Sequence, residues 1–169
     1  MDKRYPIGQF GCPDLIQKQD IQKWMKEIAT LPSRLNKLTE SLDEFELERT
    51  YREGSWNIRQ LIHHIADSHL NGYIRIKLAL TEVNPLVKTY EENEWAKLID
   101  YDLPIKVSLQ LLDTLHERWV NLLKNLTIDQ LKRTYQYPDG SIMRIEQSIA
   151  LYAWHGNHHL AHIQQALKN

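Results

Sequence analysis

The amino-acid sequence predicts an all-α fold, a four-helix bundle formed by one domain over residues 1–169. Apolar residues recur at three- and four-residue intervals in four long segments, and no segment sustains the two-residue alternation of a strand. Hydrophobic residues make up 42% of the 169, which is enough for one sizeable core.

The first two predicted helices carry clear local signals. The first contains Pro32, which we expect to kink it. The second begins near Asn57, because Gln60 follows three residues later and completes a capping box. The apolar positions of the two helices are, in order, Ile21, Trp24, Met25, Ile28, Leu31, Leu35, Leu38 and Leu42, then Ile58, Leu61, Ile62, Ile65, Tyr73, Ile76 and Leu80.

The third predicted helix begins near Pro104 and the fourth near Ile145. Between them, Pro138-Asp139-Gly140 is a turn sequence that allows a short hairpin. An Arg-Thr-Tyr sequence precedes both the second and the fourth helix, at 49–51 and 133–135, which suggests an internal repeat. The apolar positions of the last two helices are Leu111, Leu112, Leu115, Trp119, Leu122 and Leu126, then Ile145, Ile149, Tyr152, Leu160, Ile163 and Leu167.

Composition excludes several classes of function. The formal net charge of -1 gives no basic surface for nucleic acid or for an anionic membrane. The chain contains neither an apolar leader at its start nor a long uncharged apolar run, so we expect a cytoplasmic protein without membrane contact. Cys12 is the only cysteine, so no internal disulfide and no cluster of thiolate ligands can form.

Histidine is the unusual component, with eight residues in the chain. All but His116 fall into two groups, one on the second predicted helix and one on the fourth. Facing helices of a bundle are where metal sites are built, so the two groups predict a metal site between these helices. The members are His63, His64 and His69, then His155, His158, His159 and His162.

Helical geometry narrows the choice on the fourth helix. His155 and His159 are four residues apart, so their imidazoles share a face and can reach one ion. His162 lies roughly 10.5 Å along the axis from His155, too far to join the same metal. His158 is expected to point toward solvent.

The third ligand must come from another helix, and the second helix offers three candidates. His69 falls in the middle of the apolar arc, and His63 and His64 lie outside it on opposite sides. Periodicity favours His69 and does not distinguish the other two. In the alternative reading, His69 and His116 are core histidines bonded to backbone carbonyls.

The segment from Trp56 to His64, followed by His155-Gly156-Asn157-His158-His159, resembles the DinB-like metalloenzyme superfamily. Within it the chain is most similar to the YfiT-like metal-dependent hydrolases, relatives of the bacillithiol S-transferases. The resemblance implies a bundle with one divalent metal per subunit, zinc first and nickel as the alternative, and a homodimer. It assigns the metal to His64, His155 and His159, and gives His69 a supporting role.

Three neutral ligands would leave the metal its full charge and an open position, which is the arrangement of catalytic rather than structural sites. We expect hydrolysis of a small-molecule substrate by metal-activated water. The alternatives are an S-transferase with a low-molecular-weight thiol cosubstrate such as bacillithiol, and a metal-binding module without turnover. No motif marks a catalytic acid or base; Asp67 and His162 are the nearest titratable candidates, and Asp67 could orient a ligand imidazole.

Overall fold

The computed structural model describes residues 2–168, so the predicted domain limits of 1–169 include two terminal residues outside that range. Four long helices dominate the described residues, and they confirm the predicted four-helix bundle. They are α1 (Lys18–Thr39), α3 (Ile58–Thr81), α5 (Ile105–Lys124) and α7 (Ile145–Ala166). The short elements are α2 (Glu44–Leu47), α4 (Glu92–Trp95), a 3-10 helix (Ile99–Asp102), α6 (Ile128–Leu131), β1 (Thr134–Gln136) and β2 (Ile142–Arg144).

Two of the three pairs of consecutive long helices are not spatial neighbours, and the third pair, α3 with α5, packs together. Helix α1 packs against α5 and α7, and α3 packs against the same two helices. Consecutive long helices, α1 with α3 and α5 with α7, therefore lie diagonally across the bundle. Diagonal placement requires long connections, which carry α2 between α1 and α3, and α6, β1 and β2 between α5 and α7. It also makes α3 and α7, the two helices with the histidine groups, direct neighbours.

The structure supports the predicted internal repeat. The first residues of α3 and α7, Ile58 and Ile145, donate their backbone N–H groups to the carbonyl oxygens of Arg49 and Arg133. Each of these arginines begins an Arg-Thr-Tyr sequence and follows a four-residue helix with a capping box, α2 or α6. The unit formed by α1, α2 and α3 is thus repeated by α5, α6 and α7.

Local details both confirm and correct the sequence analysis. The hairpin is present as the antiparallel pair β1 and β2, with Tyr135 opposite Met143. Helix α3 starts after Asn57, whose side chain accepts from the backbone N–H of Gln60, as the capping box predicted. The apolar stripe of α5 was misplaced by including Leu111, which is 40% exposed. The predicted positions Leu112, Leu115 and Trp119 are buried, and α5 also buries Ser108, Leu109, His116, Val120 and Leu123.

The interior contains polar groups beside the apolar core. Seven of the eight histidines are among the buried residues, and His155 is partly exposed. No helix within residues 2–168 is both long enough and apolar enough to cross a membrane.

Candidate metal centre

The structure brings the three histidines favoured by the resemblance together between α3 and α7. One ring nitrogen from each of His64, His155 and His159 lies within 4.8 Å of the other two. The Nε2 atoms of His64 and His155 are 3.2 Å apart. The ring centroids of His155 and His159, the i, i+4 pair, are 4.5 Å apart. This spacing allows three imidazoles to bind one ion.

His155 is held by a row of histidines that ends on the backbone. His116 Nδ1 lies 2.7 Å from the carbonyl oxygen of Ile28, and its Nε2 lies 3.0 Å from His69 Nδ1. The Nε2 atom of His69 then lies 3.2 Å from His155 Nδ1. Three hydrogen bonds thus connect α1, α5, α3 and α7 through the centre of the bundle.

A shorter row holds His159. His162 Nε2 lies 3.2 Å from the carbonyl oxygen of Arg4, in the segment before α1. The Nδ1 atom of His162 lies 3.4 Å from His159 Nδ1. Tyr51 stacks on the His162 ring, with centroids 3.8 Å apart. His162 therefore contacts a candidate ligand, which answers one question that the sequence left open.

Burial keeps these imidazoles neutral. It lowers the pKa of His116 to about 4 and places the pKa values of His69, His155 and His159 well below the usual one. It also lowers the pKa of His162. A neutral imidazole has one donor and one acceptor nitrogen. At neutral pH each of the five therefore carries a single ring proton.

The two backbone carbonyls decide where those protons lie, since a carbonyl only accepts. His116 must donate to Ile28 through Nδ1, so its Nε2 accepts from His69, and His69 Nε2 accepts from His155 Nδ1. By the same rule, His162 donates to Arg4 and accepts from His159 Nδ1. Both rows leave the Nε2 atoms of His155 and His159 unprotonated, which is the form that binds a metal.

His64 fits the same centre from α3. Its side chain is buried, its pKa is lowered to about 4 by burial and by His158, and its ring lies 4.6 Å from that of Trp56. Within the described residues, Nδ1 of His64 has no hydrogen-bond partner. Its Nε2 meets only the imidazole nitrogen of His155. A divalent cation would give this pair of nitrogens a common partner.

The other candidates have different surroundings. His63 is bonded on both sides, 2.7 Å from Ser108 Oγ and 3.0 Å from the carbonyl oxygen of Leu103. The Asp67 carboxylate accepts from the hydroxyl of Tyr101 at 2.7 Å. Among the hydrogen bonds of residues 2–168, Asp67 makes none to a candidate ligand, so the structure gives no support to a role of Asp67 in orienting an imidazole.

The expectation that His158 points to solvent was wrong. The residue is 7% exposed. The Trp154 ring stacks on its imidazole with centroids 4.4 Å apart, and Tyr5 lies 6.1 Å away. The nitrogens of His158, His159 and His162 form a second compact group. However, His162 is already bonded through both nitrogens, so this second group suits a metal less well.

The alternative reading of His116 as a core histidine bonded to a backbone carbonyl is confirmed, but its contact with His69 was not predicted. It stood apart from the two histidine groups, and its position on α5 gave no sign that it would meet His69. Its burial agrees with the apolar spacing that it shares with Leu112, Leu115 and Trp119, which are also buried on α5. Its partner could not be predicted without knowing which helices are neighbours.

A cavity of about 330 Å³ has His155, one of the three candidate ligands, in its wall. Its wall also includes Ser68, Arg75, Tyr90 and Tyr152. A larger cavity, of about 530 Å³, lies between the start of α1 and α6 and contains none of the histidines. The smaller one is therefore the cavity of the two that borders a candidate metal ligand.

Comparisons with known proteins agree with this geometry. A family model described as the DinB superfamily matches residues 27–163. A protein of Halalkalibacterium halodurans, provisionally named a metal-dependent hydrolase, is 80% identical over 167 residues, 99% of this chain and 98% of that protein. The structure of YfiT from Bacillus subtilis, provisionally described as a metal-dependent hydrolase with an unusual four-helix bundle topology, has a TM-score of 0.96. It is 39% identical, over 99% of this chain and 97% of that one.

A more distant structure, the mycothiol-dependent maleylpyruvate isomerase, matches with a TM-score of 0.69 at 16% identity. The match covers 88% of this chain and 63% of the isomerase. At that identity the likeness shows a common fold.

Three imidazoles that face one another from two adjacent helices are typical of the helical bundles that hold a metal in their interior. This chain belongs to the DinB superfamily, and it is similar to YfiT along nearly its whole length. The family expected from the sequence is thereby confirmed. The expected kinship with bacillithiol S-transferases stays a prediction.

Proposed function

We propose that this protein is a metal-dependent hydrolase that acts on a small-molecule substrate. The observation that carries the proposal is the convergence of His64, His155 and His159, whose ring nitrogens lie within 4.8 Å of one another. The provisional names of the similar proteins from H. halodurans and B. subtilis support it.

We assign one divalent metal per chain to these three imidazoles. Imidazole ligands suit zinc and nickel, with zinc first and nickel as the alternative. Three neutral protein ligands leave a position for substrate or water, as catalytic zinc sites do. When bound, such an ion would supply a Lewis acid that polarises a substrate and activates water at neutral pH.

The chain's own residues would prepare this site before the metal arrives. His69 and His116 hold the proton of His155 on Nδ1, and His162 does the same for His159. Orientation by hydrogen bonds of this kind raises the basicity of the ligand and fixes its ring.

Thiol transfer is the alternative chemistry, because an open position on zinc also binds a thiolate well. The fold shared with a mycothiol-dependent isomerase is compatible with it. A metal-binding module without turnover is the remaining alternative. We also retain, as proposals, a homodimer and a cytoplasmic location.

The test is to assay the zinc and nickel forms on an electrophilic ester, with and without a low-molecular-weight thiol. A hydrolase turns over with water alone, and its rate should rise as the activated water ionises near neutral pH. The His155→Ala variant serves as the control without metal. Product formation only with thiol would replace hydrolysis by thiol transfer, and equal rates in the His155→Ala control would contradict both.

A further inference from the structure

Arg75 is a buried cation without a carboxylate partner. Its side chain on α3 is 9% exposed, and none of the ion pairs within residues 2–168 includes it. One terminal nitrogen donates to the hydroxyl of Tyr152 at 3.2 Å, and the other donates to the carbonyl oxygen of Lys88 at 2.8 Å. Its Nε has no hydrogen-bond partner in the described protein. A guanidinium has five N–H groups, so donors remain for a ligand.

This cation lies in the wall of the cavity that reaches His155. The cavity has a volume of about 330 Å³, which is within the range of small-molecule sites. Tyr152 stands between the two groups: its hydroxyl accepts from Arg75, and its ring centroid is 6.1 Å from that of His155. The ring of Tyr137 lies 5.4 Å from the guanidinium carbon. One small cavity therefore has a cation on one side and a candidate metal ligand on the other.

The charge of Arg75 persists despite its burial. Burial works against the charged form, but the neighbouring tyrosines, Tyr152 first, raise its pKa above the ordinary value. Glu92 is the one acidic residue in the cavity wall, and it forms no ion pair with Arg75. The described protein thus leaves the guanidinium without a direct counter-ion.

We propose that this cavity is the substrate site and that Arg75 binds a carboxylate group of the substrate. The planar guanidinium matches a carboxylate through two parallel hydrogen bonds, and tyrosine rings line the space between it and His155. The inference rests on the proposed function, and it narrows the substrate class to small organic carboxylates. The group to be attacked lies at the end of the molecule that faces His155.

Binding of two matched probes tests the assignment. 3-Phenylpropanoate carries a carboxylate, and 3-phenylpropanamide is its uncharged counterpart of the same size. Calorimetric titration of the zinc-loaded protein should show the acid binding about ten-fold more tightly than the amide, as expected for charge-assisted hydrogen bonds. Arg75→Gln should remove the preference and Arg75→Lys should retain part of it. Lys77→Gln, at an exposed position on the same helix, should leave it unchanged.

A second variant changes affinity in the opposite direction. Glu92 repels an anion in the cavity, so Glu92→Gln should tighten binding of the acid several-fold and leave the amide unaffected. Because Glu92 is exposed, this variant tests the proposal even if Arg75→Gln fails to fold. Equal affinities for acid and amide in the wild-type protein, or an acid preference that survives in Arg75→Gln, would overturn the proposal.

Parallel measurements separate this inference from the proposed function. Zinc content is determined for each variant, and the titrations are repeated on protein stripped of metal. One zinc per chain without preference for the acid contradicts the carboxylate site and leaves the metal assignment intact. Absence of zinc binding contradicts the proposed function. In that case the carboxylate site is still supported if metal-free protein prefers the acid and the preference is lost in Arg75→Gln.

Discussion

Two of the candidate metal ligands take their orientation from other histidines. His155 is held through His69 and His116, and His159 through His162, and each row ends on a backbone carbonyl. Because a carbonyl cannot donate, the position of every proton along the rows follows. Most of the unusual histidine content of this chain therefore serves one centre.

Metal affinity distinguishes a histidine that orients a ligand, the role we assign to His69, from a histidine that binds the metal itself. We expect His69→Gln to keep the metal with about 10- to 100-fold lower affinity, since it loses orientation but no metal bond. His64→Gln should lose most of the metal. Competition with a chromophoric chelator measures both affinities. His63→Gln is the matched control, because His63 is a buried histidine of α3 outside both rows.

Two results would contradict this assignment. Loss of metal from His69→Gln with retention in His64→Gln would make His69 the ligand, as periodicity alone suggested. Unchanged affinity in His69→Gln would mean that the row does not orient His155. Nitrogen NMR of the zinc form gives a second readout, with the Nδ1 proton of His155 present in the wild type.

Residue-level prediction from sequence succeeded where only burial on one helix mattered. The central position of His69 on the apolar arc correctly indicated a buried side chain, which is 0% exposed. The prediction for His158 failed, because its imidazole is covered by the ring of Tyr5, which is far away in sequence, as well as by the ring of Trp154. A helical wheel places Trp154 on the same face one turn before His158, but it contains no information about Tyr5.

At the scale of elements, the site depends on how closely α3 and α7 approach. Gly72 of α3 lies against the ring of Tyr152 of α7, and a Cβ at this position would overlap that ring. Tyr152 in turn contacts His69, with ring centroids 5.3 Å apart. A glycine at this crossing therefore permits the approach that brings the two histidine groups together.

Gly72→Ala should consequently lower the free energy of unfolding by about 1–3 kcal/mol, the usual cost of overpacking a core. Metal affinity should fall as well, because the ring that supports the histidine row is displaced. Urea denaturation measures the first effect and chelator competition the second. Gly11→Ala is the control, since a Cβ at that position would meet no heavy atom within 4 Å. Equal stability of Gly72→Ala and the wild type would contradict the close packing.

The long helices and the hairpin were predictable because each carries several turns of periodic apolar residues or a strong turn sequence. The short helices α2, α4 and α6 were not predicted, because four residues contain barely one helical period. The diagonal arrangement of the bundle depends on which faces pack together. A single sequence gives no direct sign of which helix faces pack together.

At the scale of the whole molecule, the buried imidazoles make stability depend on pH. Burial lowers the pKa values of His64 and His116 to about 4 from an ordinary value of 6.5. As the pH falls below about 6.5, the unfolded chain takes up protons on these groups before the folded one does. The free energy of unfolding that these neutral imidazoles contribute is complete above that pH. It is lost progressively as the pH falls to about 4.

Urea denaturation in the presence of a chelator should therefore show stability falling between pH 6.5 and 4. Each such histidine contributes at most about 1.4 kcal/mol per pH unit to the slope of the free energy of unfolding against pH. His116→Asn removes one titrating group while an amide can still donate to the Ile28 carbonyl, so its slope should be shallower by about that amount. Identical slopes in the variant and the wild type would contradict the neutral, buried state of His116.

The central claim is that His64, His155 and His159 hold one divalent metal, and elemental analysis of the purified protein tests it most directly. We expect one zinc or nickel per chain in the wild type and little metal in His64→Gln, His155→Ala or His159→Ala. His158→Ala, which alters a buried neighbour on the same helix, should keep full occupancy. Full occupancy in the His155 or His159 variant, or loss of metal from His158→Ala alone, would contradict the account.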